Sequence, residues 1–348
     1  MYKIGVFPGK FCPAHRGHLS AIFKAACQCE KLYVVVSYRR EDDEKLFAGL
    51  PFKAPTLKER AKWLSIELQG FDHIKVIMLD EEGIPSYPLG WRLWSFRLAQ
   101  IVPEHIDVIF GSEPSYTEGY TKYFPEADYV IIDSERSEFP ISATMVRNNP
   151  YKYWDYILGA ARPHFTKRVL IVGTESCGKT TLTKMLAKIY HTAWAEEAGR
   201  YYSRDYLGGN EDVFTPEDFY QICVDQRRLE EDALRHANKV VFFDTEALIT
   251  QYYCEIYLGE KNPKIESLID PSRYDLVLFL TPEVKWVDDG LRFISDQKER
   301  EEKNDELYKM FIDHGFGDKM VIINGGDYLE RFAKAKAEVD KLMAEAEH

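Results

Sequence analysis

Twice in this chain of 348 residues, an apolar strand-like run breaks into a glycine-bearing turn and restarts as a helical pattern. The first instance is "YKIGVFPGKFCPAHRGHLSAIFKAAC", from Tyr2 to Cys27. The second is "RVLIVGTESCGKTTLTKMLAKIY", from Arg168 to Tyr190. A strand that feeds a helix belongs to a parallel sheet, whose strands are covered on both faces and read as continuous apolar runs. The other strand-like segments obey this rule: 31–38, 73–79, 106–111 and 128–133 in the first half, and 239–245, 274–281 and 320–325 in the second. Helical patterns alternate with them. Thr56 and Glu59 form a capping box for a helix over 56–68, and Thr215 with Pro216 opens a long helix over 215–237. The stretch 327–347 reads as a closing helix, and 141–158 as two short helices separated by Pro150. The expected fold class is α/β, with two doubly wound parallel-sheet domains. Small residues and a proline in "GAARPHFTKR" (159–168) place the boundary there, giving domains 1–160 and 161–348.

Composition narrows the setting. With 45 basic and 57 acidic residues the net charge is −12, which disfavours nonspecific binding to nucleic acid or anionic membrane. No run approaches the length of a membrane span, and the N-terminus lacks a signal-peptide core. The six cysteines form no C-x-x-C pair, so reduced thiols in a cytoplasmic protein are expected. No nucleic-acid or membrane partner is expected. Assembly into a homo-oligomer is compatible with the sequence but not specified by it.

The first turn fits G-x-F-x-P-x-H-x-G-H at every fixed position, from Gly9 through Phe11, Pro13 and His15 to Gly17 and His18. By average composition such a match arises by chance about once in a million chains of this length. Gly9 permits a tight turn, and Gly17 permits close approach at a helix start, where free N–H groups favour an anion. His15 and His18 are spaced to share a face and donate hydrogen bonds to a phosphate. A zinc pair or incidental histidines are the alternatives, but no third ligand stands nearby. The segment "ISATMVR" supplies Ser142 as a cap, Thr144, and Arg147 as a fork for phosphate oxygens. The turn and this segment resemble the [H/T]-x-G-H and I-S-x-T-x-x-R motifs of the nucleotidyltransferase superfamily, which implies attack on the α-phosphorus of ATP with Lys10, His15, His18 and Arg147 as charge stabilisers.

The second turn matches G-x-x-x-x-G-K-[ST], with Gly173, Glu175, Ser176, Cys177, Gly178, Lys179, Thr180 and Thr181 as candidate ATP contacts. Such a match arises by chance in about one chain in a hundred. The strand before it and the helix after it give the motif its weight. Lys179 would reach the β- and γ-phosphates, and Thr180 would help hold Mg²⁺. Asp244 ends the apolar run "VVFFDT", where a metal-binding or base carboxylate belongs. A chance acid at a strand end is the plain alternative. "EEAGR" (196–200) offers Glu196, Glu197 and Arg200 facing the same edge, with Glu197 as the contact to the substrate hydroxyl, or simply a charged helix start. "WVDDGLRFISDQKER" (286–300) carries Arg292 and Arg300 and is expected to be either a phosphate-closing lid or a solvated loop.

The chain resembles the NadR-type bifunctional proteins over about residues 2–345. The resemblance is carried, in order, by "GKFCPAHRGH", "YPLGWRLW", "ISATMVR", "GTESCGKT", "EEAGRYY", "VVFFDTEALIT" and "DDGLR". It implies a Rossmann-like nucleotidyltransferase followed by a P-loop kinase. The kinase would convert nicotinamide riboside to NMN, and the first domain would join NMN to ATP-derived AMP, giving NAD. It also implies that Trp91 stacks on the nicotinamide ring, a cation–π pairing, although Trp91 would serve equally as helix core. The first strand begins at Tyr2, so the helix-turn-helix repressor domain of some members is not expected here. Rival readings are a phosphopantetheine adenylyltransferase fused to a dephospho-coenzyme A kinase, and a nucleotide sensor with one slow domain.

Overall fold

A computed structural model describes residues 1–86, 88–283, 297–325 and 327–346. The chain divides into two compact units, Met1–Phe165 and Thr166–Ala346.

Unit 1 runs β1 (Tyr2–Gly9), α1 (Arg16–Ala26), β2 (Cys29–Tyr38), α2 (Arg40–Leu46), α3 (Leu57–Glu67), β3 (Ile74–Asp80), α4 (Trp91–Ile101), β4 (Val108–Gly111), α5 (Thr117–Tyr123), β5 (Asp128–Ile131), α6 (Ala143–Asn148) and α7 (Arg162–Phe165). Its parallel sheet has the order β3-β2-β1-β4-β5. The chain therefore leaves β1 in one direction, then returns to place β4 on its other side. That switch opens a crevice at the carboxyl end of β1. Val6, Val35 and Ile109 pack beneath α4 and α5, while α1 and α3 cover other parts of the sheet. Thr56 and Glu59 form the expected capping box of α3. Beyond Pro150, the expected second helix is only a single 3₁₀ turn, Trp154–Tyr156.

Unit 2 runs β6 (Lys167–Val172), α8 (Lys179–Ile189), β7 (Trp194–Ala195), α9 (Ala198–Tyr206), α10 (Pro216–Arg235), β8 (Val240–Asp244), α11 (Ala247–Leu258), α12 (Pro263–Glu266), β9 (Leu276–Leu280), α13 (Gln297–Asp313), β10 (Met320–Ile323) and α14 (Tyr328–Glu345). The parallel order is β10-β9-β6-β8-β7. Alternation along each strand builds two cores. Leu170, Val241, Phe243 and Val277 pack with residues of α10, α11 and α13. Val169, Phe242, Leu276 and Leu278 pack with α8 and α14. Both faces are covered, which is why these strands are apolar throughout. Among the described residues, no helix is long and apolar enough to cross a membrane.

The end of unit 1 is tied down. Ala160 N–H donates to Glu67 Oε1 at 2.8 Å, Ala161 and Phe165 are fully buried, and the Phe165 ring lies 5.3 Å from that of Phe52. A fragment of residues 1–160 lacks the Phe165 anchor. It is expected to be less stable than a fragment of 1–165 by about 3–5 kcal/mol, the range for deleting a buried phenyl ring. Urea unfolding of the two fragments checks this, and coincident midpoints would show that the segment contributes nothing.

Candidate functional site

In unit 1 the chain leaves Gly9, turns through Phe11 at φ 49° and a cis Cys12–Pro13 peptide, and starts α1 with His15 as its N-cap. His15 and His18 close a reciprocal cap. Each Nδ1 accepts the other residue's backbone N–H, at 3.4 and 3.3 Å. A nitrogen that accepts carries no proton, so each neutral ring bears its hydrogen on Nε2. The rings stack with centroids 3.7 Å apart. Gly17 makes room for this, since a Cβ there would stand 3.1 Å from His15 Nδ1. Burial, with Arg136 nearby, pushes His15 down to about 4, and burial, with His15 and Arg136, pushes His18 well below its ordinary value. Two stacked imidazoles thus remain uncharged at neutral pH and serve as N–H donors.

Both rings line a cavity of about 480 Å³, together with Gly9, Lys10, Phe11, Gly17, Ser142 and Thr144. Ser142 caps α6, its Oγ accepting from Met145 N–H at 3.2 Å. Lys10 reaches buried Asp43, Nζ to Oδ1 at 3.0 Å, and Arg60 holds the other carboxylate oxygen at 2.7 Å. Arg147 departs from expectation. It lies behind the loop, 7% exposed, with Nη1 donating to the Cys12 carbonyl at 2.6 Å and Nη2 to Thr144 Oγ1 at 2.9 Å. Its fork therefore grips the turn rather than facing the cavity. Arg39 and Arg136 stand on the wall instead.

The far end of the cavity is aromatic. Trp91, the first residue of α4, lines it with Trp94, Tyr116 and Tyr120. Trp91 meets Tyr120 edge-on at 4.8 Å and also packs against the core beneath α4. It is both cavity wall and core.

In unit 2 the loop after β6 needs unusual backbone. Gly173 sits at φ 145°, Ser176 at φ 61° and Gly178 at φ 89°. A Cβ on Gly173 would approach the Leu280 carbonyl to 2.5 Å. Lys179 is buried, and its Nζ donates to the Thr174 carbonyl at 2.9 Å. Burial opposes its charge, yet Cys177, then Glu197, Asp244 and Glu175, hold its pKa above the ordinary lysine value. Thr180 Oγ1 donates to Asp244 Oδ2 at 2.5 Å, and Asp244 Oδ1 is buried with no hydrogen-bond partner among the described residues. Burial, then the charge of Glu197, pushes Asp244 up to about 6. This pair of hard oxygens, one of them unsatisfied, suits a Mg²⁺ ion completed by phosphate and water. Cys177 is buried with its thiol turned to the Thr174 carbonyl, and Thr181 is exposed on α8.

A second cavity, about 390 Å³, opens beside this loop. Glu175, Ser176, Lys179, Glu197 and Arg200 line it. Glu197 lies at the N-cap of α9, 3.5 Å from Arg200, whereas Glu196 pairs with Lys184 at 2.7 Å. Gln226 links the two acidic positions, taking Ala198 N–H at 2.9 Å and donating to the Asp244 carbonyl at 3.4 Å. Of the expected lid, Arg292 lies outside the described residues. Arg300 is buried on α13, 4% exposed, and is not on the cavity wall. Phe214, Tyr253 and Tyr257 add an aromatic wall. No fixed spacing in the sequence announces these residues, or Arg39 and Arg136, because separate elements bring them together. The available signal was local: Arg136 is a base within the acidic loop after β5.

Comparisons with known proteins match this geometry. The AAA domain family matches residues 168–331. The Trifunctional NAD biosynthesis/regulator protein NadR of Escherichia coli (strain K12) is 34% identical over 346 residues, covering 98% of this chain and 84% of that protein. Phosphopantetheine adenylyltransferase of Mycoplasma mycoides subsp. mycoides SC is 25% identical over 145 residues, 42% of this chain and 94% of that protein. Crystal structures of NadR, one in complex with NR and one with NAD and AMP-PNP, superpose with TM-scores of 0.80 and 0.79. Each is 28% identical and covers 99% of this chain and 97% of the other. With both phosphate loops in place and similarity that spans both units, the chain belongs to the NadR family.

Proposed function

We propose that this chain makes NAD in two ATP-dependent steps. Unit 2 passes the γ-phosphoryl group of ATP to the 5′-hydroxyl of nicotinamide riboside, giving NMN and ADP. Unit 1 then joins NMN to the adenylyl group of a second ATP and releases pyrophosphate. One observation carries the reading: two phosphate loops, each after a central strand of its own sheet, lie in a chain similar over 98% of its length to an NAD biosynthesis protein. All six cysteines are free, which supports a reducing, cytoplasmic setting.

In unit 1 the phosphate of NMN attacks the α-phosphorus directly, so the chain's share is positioning and charge stabilisation. His15 and His18 offer Nε2–H donors to the developing charge, with Lys10 and Arg136 as cations on the wall. Arg147 acts through the Cys12 carbonyl and Thr144. Trp91 would receive the cationic pyridinium on its indole face. In unit 2 Lys179 neutralises the β- and γ-phosphates, and Glu197 meets the riboside hydroxyl from the cavity side. Thr180 and Asp244 would hold Mg²⁺, which supplies charge neutralisation on the phosphates. The coenzyme A rival draws support from the adenylyltransferase similarity, but that covers 42% of the chain. Phosphopantetheine belongs in every assay as the parallel acceptor.

The two reactions should fail separately. His18→Ala is expected to lower NAD formation from NMN and ATP about 100-fold, the loss of one oxyanion-type donor, and to leave riboside phosphorylation intact. Lys179→Ala should do the reverse. Equal loss in both assays, or adenylyl transfer to phosphopantetheine in preference to NMN, would defeat the reading. Within unit 2, Asp244→Asn should blunt the response of rate to Mg²⁺, while Glu197→Gln should lower kcat with that response kept. The opposite pattern would exchange the two roles.

A further inference from the structure

The phosphate loop of unit 2 is gripped from behind by a residue outside every phosphate motif. Arg331, in the first turns of α14, is 2% exposed. Its Nε–H donates to the Gly325 carbonyl at 2.7 Å, Nη1 to the Cys177 carbonyl at 2.9 Å, and Nη2 to the Thr281 carbonyl at 2.7 Å. These carbonyls belong to the segments that follow β10, β6 and β9. All lie at the carboxyl edge of the sheet, where the nucleotide crevice of such a fold opens. Tyr328, the residue that begins α14, backs the same loop, and a Cβ on Gly178 would come within 2.9 Å of its ring.

We infer that Arg331 is a positioning residue for phosphoryl transfer: it touches no substrate and aims the phosphate loop by holding the Cys177 carbonyl. In a trans peptide the C=O and N–H point in opposite directions. An oxygen held toward α14 therefore turns the Gly178 N–H toward the inner side of the loop. Lys179 holds the Thr174 carbonyl from the cavity side. Arg331 also joins the Cys177 peptide to Thr281 and Gly325 through one planar fork, so the three segments move as one body. A lysine cannot replace it, because a single ammonium on a flexible stem does not present three donors in fixed directions. Unit 1 contains the same device, with Arg60 Nη1 donating to the Lys10 carbonyl at 2.6 Å.

The inference rests on the reading of unit 2 as a riboside kinase. Its test uses the full chain with Arg331→Lys and Arg331→Ala, and adenylyl transfer by unit 1 reports that the protein is intact. In Arg331→Lys, kcat/KM for ATP in riboside phosphorylation is expected to fall about 100-fold, the scale of an ångström-level misplacement. The KM for the riboside should stay within about twofold, since the lost contact serves only the phosphate end. Added guanidinium ion should restore part of the kinase rate of Arg331→Ala and leave wild type unchanged. A wild-type kcat/KM for ATP in Arg331→Lys would overturn the inference. So would KM values for ATP and riboside that rise together with no guanidinium rescue, the mark of a merely structural residue. A wild-type chain that makes no NMN would overturn the kinase reading, and this inference with it.

Discussion

A backbone N–H can face an anion only if the carbonyl of the same peptide is taken up elsewhere. Both units meet this requirement with a buried arginine. In unit 2 Arg331 takes the Cys177 carbonyl. Arg60 takes the Lys10 carbonyl, while Arg147 holds the Cys12 carbonyl, whose peptide runs into Pro13 and has no N–H, and so fixes only the turn. The dependence runs both ways. A guanidinium stripped of water is expensive unless its donors are satisfied, and the loop carbonyls satisfy them. Loss of one arginine therefore frees the loop, while loss of the loop geometry strands a buried charge.

The two cavities differ in electrostatics, in keeping with their proposed reactants. Unit 1 must bring two phosphate-bearing molecules together. Its imidazoles are kept neutral by burial, and arginine and lysine complete the wall. Unit 2 receives a riboside with a positive ring and a neutral hydroxyl. Acids are tolerable there, and Glu175, Glu197 and Glu211 line its cavity beside Lys179. A carboxylate near the hydroxyl can accept its proton, and one near a metal can hold it, the division proposed between Glu197 and the buried Asp244.

The parallel sheets were legible because their central strands are covered on both faces, Phe242 turned to one core and Phe243 to the other. The turns were legible because Gly173 and Gly178 occupy positive φ, and Gly17 leaves space beside an imidazole. Arg147 could be found but not oriented, because its partner is a carbonyl at Cys12, far back in the chain. Arg136, Arg331 and the Tyr253–Tyr257 wall carry no spacing signal. Their roles arise only when separate loops and helices converge on one edge of a sheet. The end of unit 1 also escaped the sequence in detail, since the burial of Phe165 depends on a ring from Phe52.

The claim that one chain performs both steps is tested most directly by phosphorus NMR of the full protein given nicotinamide riboside, ATP and Mg²⁺. The expected result is a transient NMN signal, then NAD, with one ADP and one pyrophosphate formed for each NAD. ADP without pyrophosphate, or no NAD when NMN itself is supplied with ATP, would contradict it.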